Sequence, residues 1–155
     1  MTKNNAPKGL VIRSCAIIDP DRQAVRAVRA DGEYVIAITV EASYAVKHIS
    51  IGYNIKLANG VTVYGTSTAV QGRTIDFEAG ETKTCRFSFK PKLALGVYFL
   101  SAGAAEVLTP EDEIHNYVML DFVHDAFQFV VGSEQTSGLA TLSGRLVSFT
   151  TIEAK

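Results

Sequence analysis

Residues 48–68 read HISIGYNIKLANGVTVYGTST, two β-rich runs on either side of the pair Asn59-Gly60. In the first run apolar residues alternate with polar or small ones, as they do in a strand with one buried face. Asn-Gly favours positive φ angles and is typical of a tight type I′ hairpin turn. We therefore expect an antiparallel hairpin, whose first strand directs these residues inward: Ile49, Ile51, Tyr53, Ile55 and Leu57.

The return strand of this hairpin also has two faces. If its alternation continues through Gly65, then Val61 and Val63 point inward. The outward row holds one aromatic residue among threonines: Thr62, Tyr64, Thr66 and Thr68. On the first strand, Asn54 and Lys56 belong to the same outward side. This side of the hairpin is a candidate binding surface.

The period of two continues along the chain, and no segment has the period of a helix. Further strands are expected at residues 10–18, 24–30, 33–41, 84–90, 96–105 and 127–131. Their inward rows are Tyr34, Ile36, Ile38, Val40, Cys85, Phe87, Phe89, Tyr98, Leu100, Ala102, Ala104, Phe127, Phe129 and Val131. Many short strands separated by turn signals predict an all-β fold, a two-sheet antiparallel β-sandwich of jelly-roll or immunoglobulin-like type.

Length and composition point to one folded domain. The chain has 155 residues, of which 47% are hydrophobic and 20% charged. A formal net charge of −1 gives no electrostatic reason to expect nucleic acid or an anionic membrane as a partner. We assign residues 1–8 to a linker or chain end and residues 9–150 to the sandwich domain. Since we see neither a secretory signal nor an apolar run of ~20 residues, we expect a cytoplasmic location.

No motif for catalysis or for a cofactor is found. The chain has no phosphate-binding G-x-x-x-x-G-K-[ST] loop and no G-x-S-x-G nucleophile elbow. The spacing of His48, His115 and His124 fits no familiar metal-ligand pattern. We therefore expect no catalytic group, no metal and no cofactor. Cys15 and Cys85 are expected to be buried reduced thiols, with a disulfide between them as the alternative.

A series of short motifs in fixed order resembles a known family. In sequence order they are Gly65-Thr66-Ser67-Thr68, Ala79-Gly80-Glu81, Phe87-Ser88-Phe89, Gly96-Val97-Tyr98, His115-Asn116-Tyr117 and Asp125-Ala126-Phe127-Gln128-Phe129. Over roughly residues 15–144 the chain resembles the C-terminal carbohydrate-binding domain of Wzt, the nucleotide-binding subunit of ABC transporters that export O-antigen polysaccharides. The order and spacing of the motifs, rather than any one of them, carry this resemblance.

The resemblance implies a β-sandwich that binds the non-reducing end of an O-polysaccharide without catalysis. It implies that this binding confines export to completed chains. The expected partners are the polysaccharide end and the ATPase and membrane subunits of the exporter, at the cytoplasmic side of the inner membrane. It also implies a homodimer formed by exchange of the C-terminal strand, with residues 132–138 as the hinge.

Sugar binding needs aromatic rings that stack on C–H faces and planar polar groups that reach hydroxyls. The candidate carbohydrate-binding residues are Tyr64, Thr66, Thr62, Asn54, Lys56, Phe99, Ser101 and Arg86. Arg86, with Lys56 and Lys90, is also a candidate cationic patch for a phosphate or carboxylate on a glycan end.

Two other classes of function remain open at this point. The chain is alternatively a protein–protein interaction module of a glycan-assembly complex, which a contiguous apolar patch at a sheet edge would favour. A hydrolytic enzyme is the third hypothesis, and it requires two carboxylates or a Ser-His pair that converge in one pocket.

Overall fold

The computed structural model describes residues 9–108 and 116–132, and the backbone of residues 143–152. The strands are β1 Leu10–Ile18, β2 Ala24–Val25, β3 Ala27–Val28, β4 Tyr34–Ala42, β5 Val46–Leu57, β6 Thr62–Ser67, β7 Ile75–Phe77, β8 Thr82–Lys90, β9 Gly96–Val107, β10 Tyr117–Val131 and β11 Ser143–Ile152. These described parts contain no helix with the length and apolarity that a membrane span requires.

The strands form two sheets packed on one another. The first sheet has the order β11-β8-β4-β1-β2, and the second has the order β3-β10-β9-β5-β6, with β7 paired to β5. The strand pairs are antiparallel except that of β3 with β10, which is parallel. The prediction of an all-β sandwich of two largely antiparallel sheets is confirmed.

The core lies between the sheets and consists of the predicted inward rows. In the first sheet Ile36, Ile38 and Phe87 have no exposed surface. Across the core, the Phe129 ring stacks on Tyr98 at 5.6 Å and meets Phe89 edge-on at 6.0 Å, measured between ring centroids. Each such fully buried aliphatic or aromatic side chain contributes about 1.5–3 kcal/mol to folding.

The chain passes from one sheet to the other at Arg26. The segment 24–30, predicted to be one strand, is two short strands in different sheets, so that prediction is wrong. The Arg26 carbonyl accepts a hydrogen bond from Val130 N at 2.8 Å, and its guanidinium Nη1 donates to Gln128 O at 3.2 Å. The same guanidinium lies 4.4 Å from the centre of the Phe127 ring. These contacts to β10 hold the corner where the chain changes sheets.

Asp121 joins the two sheets at another place. Its Oδ2 accepts a hydrogen bond from the backbone N–H of Ile12 at 2.8 Å. This N–H lies where the register of β1 against β4 shifts, between Ile12 and Ser14. A β10 carboxylate in the second sheet therefore binds a backbone donor of β1 in the first.

The β5–β6 hairpin has a different turn from the one predicted. Gly60 N donates to Leu57 O at 2.9 Å, and Leu57 N donates to Val61 O at 2.9 Å, which leaves a three-residue loop. A type I′ turn needs positive φ at both central residues. Here Gly60 has a φ of +92°, but the φ of Asn59 is not positive. The hairpin is confirmed, but its turn is a type I turn followed by a glycine bulge.

A second irregularity, an extra residue in β6 opposite Ile55 and Lys56, changes which residues of β6 face the core. With a register shift between Ile55 and Lys56, Tyr64 pairs with Ile55 and packs against the core. Val61 and Val63 are instead 53% and 40% exposed. A shift of one residue exchanges the two faces of a strand, so the predicted orientation of β6 is wrong.

Cys15 and Cys85 cannot form a disulfide in this fold. Both are register partners of Ile38, one in β1 and the other in β8, on opposite sides of β4. Two strand spacings separate their Cα atoms by roughly 9.6 Å, beyond the reach of a disulfide. Both cysteines are free, so the reduced state is confirmed and the alternative disulfide is wrong.

The last strand, β11, pairs with β8 of the same chain along its whole length. Apart from Gly132, the predicted hinge at residues 132–138 lies outside the described residues, as does the predicted chain end at residues 1–8. The strand exchange stays a prediction.

Candidate functional site

The outer face of the second sheet carries a hollow of about 240 Å³. Strands β5, β9 and β10 line it together with the end of β6 and the segment that follows it. The lining residues are Ser50, Gly52, Tyr53, Asn54, Ser67, Ala69, Val70, Gly103, Ala105, Val107, Tyr117, Met119 and Phe122.

The floor of the hollow is made by small residues of β5 and β9. Gly52 and Gly103 are register partners at its centre, and Ser50 pairs with Ala105 beside them. A Cβ atom at Gly52 would lie 2.5 Å from Thr66 O, which is backbone. A Cβ at Gly103 would lie 2.9 Å from Phe122 Cδ1. Both positions therefore need glycine, because the backbone of β6 and the ring of Phe122 pack closely against them.

One wall of the hollow is apolar and comes from β10. Met119 pairs with Ala105, whereas Phe122 pairs with Gly103, so the register of β10 shifts between Met119 and Asp121. Because of this extra residue, Met119 and Phe122 line the same hollow although they are three residues apart. In a regular strand, two residues three positions apart point to opposite faces of the sheet.

The opposite wall is the segment after β6, which hydrogen bonds fix against β5. Thr68 is fully buried; its Oγ1 accepts from Ile51 N at 3.1 Å, and its own N–H donates to Ile51 O at 2.8 Å. Ser50 Oγ accepts from Ala69 N at 3.2 Å. These bonds place Ala69 and Val70 at the edge of the hollow. The motif Gly65-Thr66-Ser67-Thr68 thus leads into this wall.

A polar cluster lies next to the hollow, where Asn54 of β5 faces Ser101 of β9. Ser101 Oγ, which is buried, accepts from Asp125 N at 2.9 Å. Asp125 has a positive φ of 49°, and its Oδ1 lies 3.7 Å from Lys56 Nζ. Asn54 Oδ1 is buried and has no hydrogen-bond partner among the described residues. The cluster consists of Asn54, Ser101, Asp125 and Lys56.

The structure brings three of the eight predicted site residues to the hollow or to the polar cluster beside it. Asn54 lines the hollow, and Lys56 and Ser101 belong to the polar cluster beside it. Phe99 is the register partner of Lys56 and is half-buried outside the hollow. Their common outward face was predicted from the alternation of β5 and β9.

The other four predicted residues lie elsewhere. Tyr64 and Thr66 pair with the core residues Ile55 and Tyr53, so they do not belong to the outward row that we predicted. Thr66 Oγ1 accepts from Gln71 Nε2 at 3.2 Å. Thr62 is exposed at the start of β6, away from the lining of the hollow.

The predicted cationic patch is wrong. Arg86 and Lys90 are in β8 of the first sheet, whereas Lys56 is in β5 of the second. The two sheets of a sandwich present their outer faces in opposite directions, so these side chains cannot bind one anion.

Burial decides the ionisation of the groups behind the hollow. Desolvation raises the pKa of Tyr53 far above its usual value, with smaller contributions from Tyr64 and Cys15. It also raises the pKa of the Cys15 and Cys85 thiols to about 12.

Among the described residues that line the hollow, none has a carboxylate, ammonium, guanidinium or imidazole group. The described part of the lining is therefore uncharged, with hydrogen-bonding groups at the floor and apolar groups at the rim.

Three residues of the hollow were missed by sequence reasoning: Tyr117, Met119 and Phe122. The run from Tyr117 to Val123 is apolar on both faces apart from Asp121, so its alternation does not identify an outward row. Asp121, an acidic residue inside this apolar run, was the sequence feature that indicated an irregular strand.

Comparison with known proteins now places this fold. The family model described as the Wzt C-terminal domain matches residues 4–142. A crystal structure of the C-terminal domain of Wzt has a TM-score of 0.76 at 20% identity, over 85% of this chain and 79% of that chain. A β-glucosidase from Listeria innocua in complex with glucose has a TM-score of 0.43 at 12% identity, over 80% of this chain and 16% of that one, and this score carries no argument. Comparison with curated proteins found no match.

At this level of identity, the likeness to the Wzt domain structure shows a common fold. The family match covers most of the sequence, including all of β1 to β10. The chain belongs to the Wzt C-terminal domain family.

Proposed function

We propose that this domain binds the non-reducing end of an O-antigen polysaccharide in the hollow and does not alter it chemically. Membership of the family supports a carbohydrate-binding role in O-antigen export. The observation that supports this site is the hollow itself, because it combines aromatic rings with amide and hydroxyl groups on an open sheet face. Sugars are bound by such combinations of flat apolar surface and placed polar groups.

The residues of the hollow have distinct roles in this proposal. The rings of Tyr117 and Phe122 stack on the C–H face of the terminal sugar. The Asn54 amide and the Ser50 and Ser67 hydroxyls hydrogen-bond its hydroxyl groups. With about 240 Å³, the hollow is smaller than the pockets of ~300–1,000 Å³ that enclose drug-sized ligands. It therefore suits one terminal residue better than a length of chain.

Recognition of the end couples completion of the polymer to its export. The partners in this step are the ATPase and membrane subunits of the exporter, which place the domain at the cytoplasmic side of the inner membrane. Binding at each hollow is weak, since one sugar buries little surface. A homodimer formed by exchange of the C-terminal strand presents two hollows, and rebinding between them raises the overall affinity.

Calorimetric titration of the full chain tests this function. The ligands are an O-polysaccharide with its natural non-reducing end and the same polymer from which an exoglycosidase has removed that end. We expect binding of the first and loss of binding of the second, at equal polymer length. Equal binding of both would contradict end recognition, and no binding of any O-polysaccharide would contradict the carbohydrate-binding role itself.

A matched pair of tyrosines tests the site. Tyr117, at the rim of the hollow, and Tyr44, outside it, are 48% and 49% exposed. We expect Tyr117→Ala to weaken polysaccharide binding about 5- to 30-fold, because a stacked ring contributes ~1–2 kcal/mol. Tyr44→Ala should leave the affinity unchanged, and both variants should keep the thermal midpoint within about 2 °C. An equal loss of affinity in both variants would place the site elsewhere.

The alternative function, a protein-interaction module, is favoured by one observation. Strand β6 is the last in the order of the second sheet, and Val61 and Val63 are exposed there. An exposed sheet edge with apolar side chains can pair with a strand of a partner. Val63→Lys should then abolish association with a glycan-assembly protein in a pull-down and leave polysaccharide binding intact. If Val63→Lys keeps both the association and polysaccharide binding, the edge does not have this role.

A further inference from the structure

The middle of β10 is a short paired segment between two irregularities. Asp121, Phe122 and Val123 pair with β9. One extra residue precedes them, and the register shifts again between Val123 and Phe127. Phe122 lines the hollow on the outer face. The position of this wall therefore depends on how the register of three residues is fixed.

The sequence of this segment does not decide which side chains face the hollow. Leu120, Phe122 and Val123 are all apolar, so the core would accept any of them. A slip of one residue would turn Val123 towards the hollow and Phe122 towards the core. The Phe122 ring, which packs closely on Gly103, would then leave the wall. The register must come from other contacts.

Asp121 fixes the start of the segment from the inner side. Its register partner is Ala104, which is fully buried, so the Asp121 carboxylate points between the sheets. There its Oδ2 accepts the hydrogen bond from Ile12 N at 2.8 Å. In a slipped strand the carboxylate would turn outward and lose this bond.

Ser101 of β9 fixes the end of the segment from the outer side. The second register shift leaves residues 124–126 of β10 opposite Ser101 alone. Ser101 is fully buried, and its Oγ accepts from Asp125 N at 2.9 Å. A side-chain oxygen thus binds the bulged strand where the backbone ladder is interrupted.

The backbone of Asp125 needs this restraint. Its φ of 49° lies in the left-handed region, which a residue other than glycine keeps only where surrounding contacts hold it. The Asp125 carboxylate also lies 3.7 Å from Lys56 Nζ, but it is 55% exposed, so this ion pair contributes little. The bond to the buried Ser101 hydroxyl is the stronger restraint.

We infer that Ser101 is a positioning residue for the hollow. Its hydroxyl pins the bulge at residues 124–126, preserves the register of the segment before it and so holds the Phe122 ring in the wall. Because Ser101 is fully buried, it acts through β10 rather than by touching a ligand. The effect on recognition rests on the proposed function, whereas the effect on the wall does not.

Nuclear magnetic resonance of the full chain, labelled with ¹³C and ¹⁵N, tests the effect on the wall without a ligand. Ser101→Ala removes the acceptor and Ser101→Thr keeps it. Ser88→Ala, the control, removes a half-buried hydroxyl from β8 in the other sheet. We expect Ser101→Ala to speed amide hydrogen exchange of Asp125 at least about fivefold and to weaken the nuclear Overhauser contacts between the Phe122 ring and the Gly103 α-protons. Ser101→Thr and Ser88→Ala should change neither.

Calorimetric titration with the O-polysaccharide tests the effect on recognition. We expect Ser101→Ala to bind at least about fivefold more weakly, because a smaller fraction of the molecules keeps the wall in place. Ser88→Ala should bind as the natural protein does. Thermal midpoints are measured for every variant, since a purely structural role would lower the midpoint and leave the affinity of the folded molecules unchanged.

The outcomes separate the inference from the function on which it rests. Unchanged contacts between Phe122 and Gly103 in Ser101→Ala would overturn the inference, whether or not a ligand binds. An unchanged affinity of this variant would overturn it as well. If Ser101→Ala does not fold, Ser101→Cys, a weaker acceptor, replaces it in both experiments. If the natural protein binds no O-polysaccharide, the proposed function falls, and the Phe122 contacts still decide whether Ser101 fixes the wall.

Discussion

At the scale of single residues, Tyr64 and Tyr117 show how the same side chain serves two purposes. The Tyr64 ring lies 6.2 Å from the Tyr53 ring, between centroids, and packs on the core. Tyr117 stands half exposed at the rim of the hollow. Truncation of the first removes packing, and in the proposed function truncation of the second removes a ligand contact. The two variants should therefore differ in which measurement they change.

Tyr64→Ala is expected to destabilise the domain. Because the ring is partly buried, we expect a loss of about 1–3 kcal/mol in the free energy of unfolding, below the 3–5 kcal/mol typical of fully buried aromatic residues. Urea denaturation followed by circular dichroism measures this change. Val63→Ala, at the exposed neighbouring position, is the control and should change stability by less than about 0.5 kcal/mol. An unchanged urea midpoint for Tyr64→Ala would show that the ring does not support the core.

At the scale of strands, regular alternation predicted β4, β5, β8 and β9 correctly, down to the residues that face the core. It failed for the orientation of β6, which has an extra residue relative to β5. In β10 the predicted inward row of Phe127, Phe129 and Val131 is buried, but the first part of the strand, where the register shifts twice, was not predicted. A bulge costs little locally and reverses every later side chain, so periodicity cannot reveal it. The hollow depends on the β10 bulge, which is why Asn54 could be found from the sequence and Phe122 could not.

Asp121 stabilises the β10 bulge region through its bond to β1. Asp121→Ala leaves the Ile12 N–H without its acceptor, and an unpaired, partly buried donor costs about 1–3 kcal/mol. Asp121→Asn keeps an acceptor oxygen and should lose less than half as much. Asp125→Asn, which affects a pair with a 55% exposed carboxylate, is the control and should stay within about 0.5 kcal/mol. Denaturation midpoints of the three variants check this order, and an equal loss in all three would contradict it.

At the scale of the whole molecule, the two sheets enclose a single core that excludes water from ionisable groups. Cys15 and Cys85 sit on either side of Ile38 in the first sheet, and burial raises the pKa of both thiols. Arg26 and Asp121 join the sheets at two separate places. The sandwich should therefore protect its thiols as long as both layers remain packed.

The cysteines should report on global unfolding. Their folded-state pKa of about 12 exceeds the value of 9.0 for a free thiol, so the folded state favours the neutral form. Below pH 9 this contribution to stability is fully present, and it is lost as the pH rises from 9 towards 12. We expect iodoacetamide to label neither thiol at pH 8 in the native protein and both in urea. Rapid labelling of the native protein would contradict the burial of these groups.

The glycine pair beneath the hollow separates folding from recognition. Where Gly52 meets Gly103, the floor of the hollow consists of peptide backbone without side chains. In the proposed function, discrimination between ligands therefore depends on exposed side chains of β10 and of the turn after β6, such as Met119 and Val70. One scaffold can in this way acquire new glycan preferences by exchanging a few rim residues, while its two central glycines stay constant.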